Sequence, residues 1–399
     1  MPRSFLALQG TASHFFSRLA SGLIEKDHTV RRINFCGGDL LYSDSTSAWN
    51  YDGSIAGLDS WYFDTLKTGD FTDILLFGDC RVVHQPVHAL AGQFGVQVHV
   101  FEEGYVRPHW LTLEKHGVNG RSKLPRDPAW YLAHRTSVPA PALATGYNLY
   151  ERAFHDIRYR MGNALYASRF PGYRSHRPFS GAKEYAALAK RFAQQKRHRD
   201  EAARATAQVL KSRRPYYLFP LQLNSDSQII VHSPFAGVRE AIRQVMHSFA
   251  QHAPSDASLV IKNHPLDTGI VEYRQFSRDL ARTLGLDGRL VFLEDGHLPT
   301  LLEYSHGVVV VNSTVGLSAL HHRRPLIALG HAIYDMEGMT WQGGLDDFWT
   351  QASRPDMNLY YAFLDYVIQH TQINGDFYTR TGIEMAVQGA VRRLEQVDE

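Results

Sequence analysis

Residues 5–23 read FLALQGTASHFFSRLASGL. Phe5 to Leu8 is an apolar run, Gln9-Gly10-Thr11 interrupts it, and Phe15, Phe16, Leu19 and Leu23 then recur at helical spacing. That order predicts a buried strand, a glycine turn and an amphipathic helix, with the turn at Gln9 to Ser13 facing a ligand. The same unit returns along the chain. Val30 to Phe35 is a predicted strand ending at Cys36-Gly37-Gly38-Asp39, Asp73 to Phe77 one ending at Gly78-Asp79, and Val96 to Phe101 one ending at Glu102-Glu103-Gly104. The second half restarts at Tyr216 to Pro220 and continues with Ser258 to Lys262, Leu290 to Phe292, Gly307 to Val311 and Pro325 to Ala328. Helical patterns at 236–250 and 275–284 lie between them. Short apolar strands alternating with helices predict doubly wound parallel sheets, whose glycine-rich strand ends form the carboxyl edge where such folds bind ligands.

At 399 residues the chain is too long for one average domain. The rhythm breaks between residues 148 and 214, which are rich in Tyr, Phe and Arg and then strongly helical from about Lys183 to Lys211. We therefore expect an N-terminal Rossmann-like domain over 1–190 with a basic and aromatic bridge at about 148–200. A C-terminal Rossmann-like domain over 200–345 and a helical tail over 346–399 complete the expected division. Forty-two Lys and Arg against forty acids leave a formal charge of +2, which argues against a dedicated nucleic-acid binder. Cys36 and Cys80 are the only cysteines, and neither has a disulfide-framework or metal-ligand spacing. No stretch reaches the ~18 to 20 apolar residues of a spanning helix, and the N-terminus reads as a strand rather than a secretory signal. The expectation is work in the cytoplasm, at a membrane only from its surface.

Four short motifs could carry chemistry. Glu102-Glu103-Gly104 sets two carboxylates at a strand end, fit to hold an acid or base against a substrate hydroxyl, or simply a solvated loop. His264-Pro265 follows the strand SLVIK, where an imidazole can donate to a phosphate oxygen or satisfy local hydrogen bonds. Asn312-Ser313-Thr314-Val315-Gly316 follows a very apolar run and precedes a helix, which suits either an anion site or ordinary capping. Gln222-Leu223-Asn224-Ser225-Asp226-Ser227 places one carboxylate among neutral polar residues, as a turn also would.

Taken in order, an acidic pair with glycine, then HP, then a serine turn resembles the pattern of bacterial sialyltransferases. Longer blocks sharpen the likeness. FEEGYVRPHWLTLEKHGVN at 101–119, FPLQLNSDSQI at 219–229, VIKNHPLD at 260–267 and VVVNSTVGLSALHHRRPLIALG at 309–330 together resemble the capsular polysaccharide Kdo-transferase family of the KpsS/LipB type. The resemblance implies a GT-B-like α/β fold, two Rossmann-like domains facing a cleft, with acceptor bound by the first and CMP-sugar by the second.

It also implies a reaction: transfer of Kdo from CMP-β-Kdo to lyso-phosphatidylglycerol with retained β configuration, starting a poly-Kdo capsule linker. Retention by double displacement requires an enzymic nucleophile. Carried onto this sequence, Asp226 is that nucleophile, Glu103 activates the acceptor with Glu102 as support, and His264 meets the CMP phosphate. Ser313 and Thr314 bind the same phosphate, and Gln222, Pro265 and Asn312 complete the donor site. No metal or cofactor is implied. The implied partners are CMP-Kdo, the lipid acceptor, an anionic inner-membrane surface and other capsule-assembly proteins, with no nucleic acid. Tyr147, Tyr150, Tyr159, Tyr166, Phe170 and Tyr173, interleaved with arginines, are the expected membrane contact. Transfer of another CMP-ulosonate such as sialic acid, or a non-catalytic assembly scaffold, are the competing readings.

Overall fold

The computed structural model describes residues 1–43, 48–174, 181–224 and 227–396. Its strands are β1 (Ser4–Ala7), β2 (Thr29–Asn34), β3 (Ala48–Asn50), β4 (Asp73–Phe77), β5 (Gln97–Glu103), β6 (Trp110–Lys115), β7 (Tyr216–Pro220), β8 (Ser258–Lys262), β9 (Leu290–Leu293), β10 (Gly307–Val310), β11 (Leu326–Ala328) and β12 (Gln372–Asn374). They make two sheets, β12-β6-β5-β4-β1-β2-β3 and β11-β10-β7-β8-β9. Residues 1–123, 137–176 and 367–399 form one compact unit around the first sheet, and 124–136 with 177–366 form another around the second.

Every pairing in the second sheet is parallel. β8 and β9 extend it to one side of β7 and β10 and β11 to the other, so the chain reverses direction across the sheet between β7 and β10. That is Rossmann order, and the reversal opens a crevice at the carboxyl edge. β1 to β5 repeat the order in the first sheet, with β2 and β3 on one side of β1 and β4 and β5 on the other. The expected α/β fold with two Rossmann-like units is what the chain adopts. The expected all-parallel first sheet needs correction at one edge, because β6 runs antiparallel to β5 and β12 antiparallel to β6. Only residues 104–109 join β5 to β6, too few for the crossover that a parallel neighbour requires.

Burial on both faces explains why the strands read as unbroken apolar runs. Phe5 and Ala7 enter one core with Leu75, Phe101 and the helix Phe15–Ile24, whereas Leu6 and Leu8 join Ile74, Leu76, Val100 and the helix Leu58–Thr68 in another. The units divide the chain differently from the expected 1–190, 200–345 and 346–399. Beyond residue 366 the chain returns to the first unit, where Ile373, Phe377 and the inner face of the helix Arg380–Glu395 are buried beside Phe15 and Leu19. Residues 346–366 stay with the second unit, in which Trp349 is buried against Tyr217 and Phe249. The helical region of the bridge is two helices, Gly181–Ala193 and Gln195–Ser212, both in the second unit, while the helix Leu149–Leu165 belongs to the first.

The amino edge of the first sheet carries a buried charge cluster. Asp73 is fully buried, with His99 Nε2 2.7 Å away and Arg3 Nε and the Thr72 hydroxyl donating to it at 2.7 Å. Burial pushes its pKa up, but the donors from His99, Arg3 and Thr72 outweigh burial and bring it down to about 2. Burial also holds the His99 imidazole below its ordinary value. Both depressed values act in one direction: the stability from Asp73 is complete above the ordinary carboxyl value of 3.8 and is lost as pH falls through about 2. Asp73→Asn should therefore cost roughly 3 kcal/mol at neutral pH. In urea titrations the gap between parent and variant should close over that acid window, and a gap that stays constant would assign the loss to packing instead.

Candidate functional site

Glu102 and Glu103 are the last residues of β5, paired with Thr112 and Leu111 of β6 rather than lying in a loop. Gly104 follows because the hairpin turns back so tightly that a Cβ there would lie 2.2 Å from the carbonyl oxygen of Trp110. The turn is pinned from the far end of the chain. Gln372 of β12 accepts from the Tyr105 N–H at 3.0 Å, and Thr112 donates to the Glu103 carbonyl at 3.2 Å.

The Glu103 carboxylate is half-buried and held from two sides. Arg152 Nη1 lies 3.3 Å from Oε1, and the Tyr378 hydroxyl donates to the same oxygen at 3.3 Å. The Arg152 guanidinium also lies over the Tyr378 ring and donates to the Tyr147 hydroxyl at 3.4 Å. Burial opposes the charge of Arg152, but Tyr378 and Glu103 more than offset it, so its pKa stands above the ordinary arginine value. Burial, and then Glu103, push the Tyr378 phenol up, which keeps it a donor. Glu102 accepts from the Glu103 N–H at 2.9 Å. The first unit thus presents one carboxylate in a fixed orientation, with its neighbour tied to the backbone.

At the switch point of this unit, the loop after β1 carries a second polar cluster. Gln9 donates to Asp39 at 3.1 Å and accepts from Arg81 at 3.1 Å, and Tyr159 donates to Asp39 at 2.7 Å. The expected ligand-facing loop at Gln9 is therefore anchored through the buried Asp39 and the half-buried Arg81. Burial, then Asp39, raise the Cys36 thiol, so it is no nucleophile at neutral pH.

In the second unit, His264 follows β8 and accepts through Nδ1 from the Leu266 N–H at 3.1 Å. Its neutral ring therefore carries the proton on Nε2. Asn263 fixes the turn through Asp267 at 3.1 Å and Glu294 at 2.9 Å, both acids also paired with Arg191. Pro265 is exposed beside it. Lys262 is buried, donates to the Asn263 carbonyl at 3.3 Å, and has its pKa lowered by that burial.

The loops after β7 and β10 are joined at the other switch point. Gln222 donates to the Asn312 side chain at 3.0 Å and accepts from the Asn312 N–H at 3.3 Å, while Asn312 donates to the carbonyls of Gln228 and His232. The amide groups of these two expected donor ligands thus lock the crevice loops together. Ser313 Oγ accepts from the Val315 N–H at 3.2 Å, and the Thr314 carbonyl accepts from Leu317 at the start of the seven-residue helix Val315–His321. Asp226, the candidate nucleophile, lies outside the described residues.

Comparison with known proteins is direct. The family model for capsule polysaccharide biosynthesis proteins matches residues 72–378. The chain belongs to that family. The Escherichia coli capsule polysaccharide export protein KpsS is 35% identical over 94% of this chain and 97% of its own. The capsule polysaccharide modification protein LipB of Neisseria meningitidis serogroup B (strain ATCC BAA-335 / MC58) is 33% identical over 94% of this chain and 92% of its own. Among solved structures, the Thermosulfurimonas dismutans KpsC beta Kdo 2,7 transferase aligns over 99% of this chain and 100% of its own at 16% identity, with a TM-score of 0.41.

Within this capsule family member, the motif residues fall where the sequence placed them relative to strands: Glu102 and Glu103 at the end of β5, His264 after β8, Ser313 after β10. Arg152, Tyr378 and Gln372 are the additions. Arg152 had a weak signal, standing at the head of the arginine-rich bridge, whereas nothing local to Tyr378 or Gln372 connects them with a glutamate some 270 residues earlier.

Proposed function

We propose that this chain is a retaining glycosyltransferase that moves Kdo from CMP-β-Kdo to a hydroxyl of lyso-phosphatidylglycerol, beginning a poly-Kdo capsule linker. One observation carries the reading. In a capsule biosynthesis family member, the acidic, HP and serine motifs all sit at carboxyl ends of parallel strands in Rossmann-like sheets, the edge at which such sheets bind ligands. An assembly scaffold has no use for a glutamate clamped between an arginine and a tyrosine at that edge.

In this reading the Asp226 carboxylate attacks the anomeric carbon of Kdo and the bond to the CMP phosphate oxygen breaks, CMP leaving with the electron pair. His264 donates from Nε2 to that phosphate, and the Ser313 hydroxyl and Thr314 contribute further donors. Glu103 then takes the proton of the acceptor hydroxyl as its oxygen attacks the same carbon and releases Asp226. Two inversions retain the β configuration. The chain acts from the inner face of the inner membrane; among the described residues no helix is long and apolar enough to cross a bilayer.

Incubating the protein with CMP-Kdo and a fluorescent lyso-phosphatidylglycerol should give a product heavier by one or more Kdo residues. Product from CMP-sialic acid and none from CMP-Kdo would shift the donor to another ulosonate, and none from either would return the chain to the scaffold class. The phosphate assignment is read separately by calorimetry. His264→Ala and Ser313→Ala should each weaken CMP binding about tenfold, the worth of one hydrogen bond to a charged group. Unchanged affinity in both would place the phosphate elsewhere.

A further inference from the structure

The helix Leu149–Leu165 has two unlike faces. Its inner face is fastened to the first unit. Gly162 lies so close to Gly37 that a Cβ on it would stand 2.7 Å from the Gly37 carbonyl oxygen, His155 meets the Tyr42 hydroxyl at 2.8 Å, and Arg152 reaches Glu103. The outer face is apolar and, among the described residues, uncovered. Tyr150, Phe154, Ile157, Met161 and Leu165 follow one another at steps of three and four residues, and their exposures run from 44% to 88%. At helical rise this stripe is about 22 Å long. It differs from the expected set of bridge aromatics: Tyr150 is shared, but Phe170 is buried and Tyr159 turns inward to Asp39.

We propose that this face is a docking surface for an anionic phospholipid bilayer, with the helix lying in the headgroup layer. Charge selects the occupant. Residues 149–174 hold five arginines against Glu151 and Asp156, and with Arg152 paired to Glu103 the segment still carries a surplus of +2, as much as the whole chain. Arg169 and Arg174 are exposed just beyond the stripe, whereas on the helix itself Arg160 pairs with Asp156 and Arg158 lies over the Tyr42 ring. An apolar stripe with arginines beside it is the pattern of an interfacial helix, whereas a second copy of this chain would bring two such basic segments together. The helix also carries the arginine that orients Glu103, so docking brings the proposed base to the surface in which a lipid acceptor resides. That purpose rests on the proposed reaction; the docking itself does not.

The test is sedimentation of the full chain with vesicles of phosphatidylcholine alone or mixed equally with phosphatidylglycerol. The parent should partition at least tenfold more strongly onto the anionic vesicles, and a Phe154→Asp/Met161→Asp double variant should lose at least tenfold of that. Equal partitioning onto both vesicles, or a double variant that sediments like the parent, overturns the proposal. So does a parent that ignores vesicles but forms a dimer broken by the double variant in light scattering. If the double variant melts earlier than the parent, Ile157→Trp reads the same face intact: its emission should shift to the blue on adding anionic vesicles, and an unmoved spectrum overturns the proposal. Transfer assays separate purpose from docking. The double variant should keep transfer to a short-chain, water-soluble acceptor and lose it to an acceptor embedded in vesicles. No transfer by the parent to either acceptor would count against the reaction, leaving sedimentation to decide the docking.

Discussion

Glu103→Gln should slow transfer by about 10² to 10⁴-fold, the usual worth of general acid–base assistance, while CMP binds as before. The substitution keeps the shape of the side chain and an oxygen that can still accept from Arg152 and Tyr378, and removes the negative charge and with it the capacity to take a proton. In the proposed mechanism the lost group serves the acceptor, so the loss belongs in the rate of transfer and not in donor affinity. Stopped or single-turnover assays with saturating CMP-Kdo, paired with CMP calorimetry, read the two quantities separately. Equal losses in both would show that Glu103 helps build the donor site. A rate within a few-fold of the parent would leave Glu102 or another group as the base.

The larger effect is expected at Asp226. Asp226→Asn should reduce transfer by on the order of 10⁴-fold or more, since an amide cannot form the glycosyl intermediate that retention by double displacement requires. Asp226 is the only carboxylate in the segment from Gln222 to Ser227, immediately after β7. In the Glu103→Gln background the first step should outrun the second, so intact-protein mass spectrometry after mixing with CMP-Kdo should find an adduct of one Kdo, mapped by digestion to the Asp226 peptide. Near-parent turnover by Asp226→Asn would exclude it as nucleophile and favour front-face attack, with Glu103 the essential carboxylate.

What could be read from the sequence follows from what local patterns encode. The strands Asp73–Phe77, Tyr216–Pro220 and Ser258–Lys262 were legible to the residue, because a strand covered on both faces must be an apolar run with polar breaks. β6 was not, since its WLTLEK mixes polar and apolar positions, and the edge strand β12 is three residues of mixed character. Glu103, His264 and Ser313 were legible as strand-end polar residues, but the groups that orient Glu103 come from positions 152 and 378, a relation that exists only after folding. Gln222 and Asn312 show the converse. Their types suit either a ligand contact or a turn, and the structure reveals a third use, amides that lock two loops together across the switch point.

The return of the chain to its first unit has a bearing on biogenesis. Synthesis delivers β1 to β6 and the helix Leu149–Leu165 before β7 to β11 of the second unit, and only after those the strand and helix that supply Gln372, Tyr378 and the apolar cover for Phe15 and Leu19. Until the ribosome releases that closing segment, the first sheet lacks its outermost strand and Glu103 lacks one of the two groups that orient it. The early strands of the first unit therefore wait, incompletely covered, until residues 372–395 have been made, and Glu103 gains the second of its two orienting groups only then.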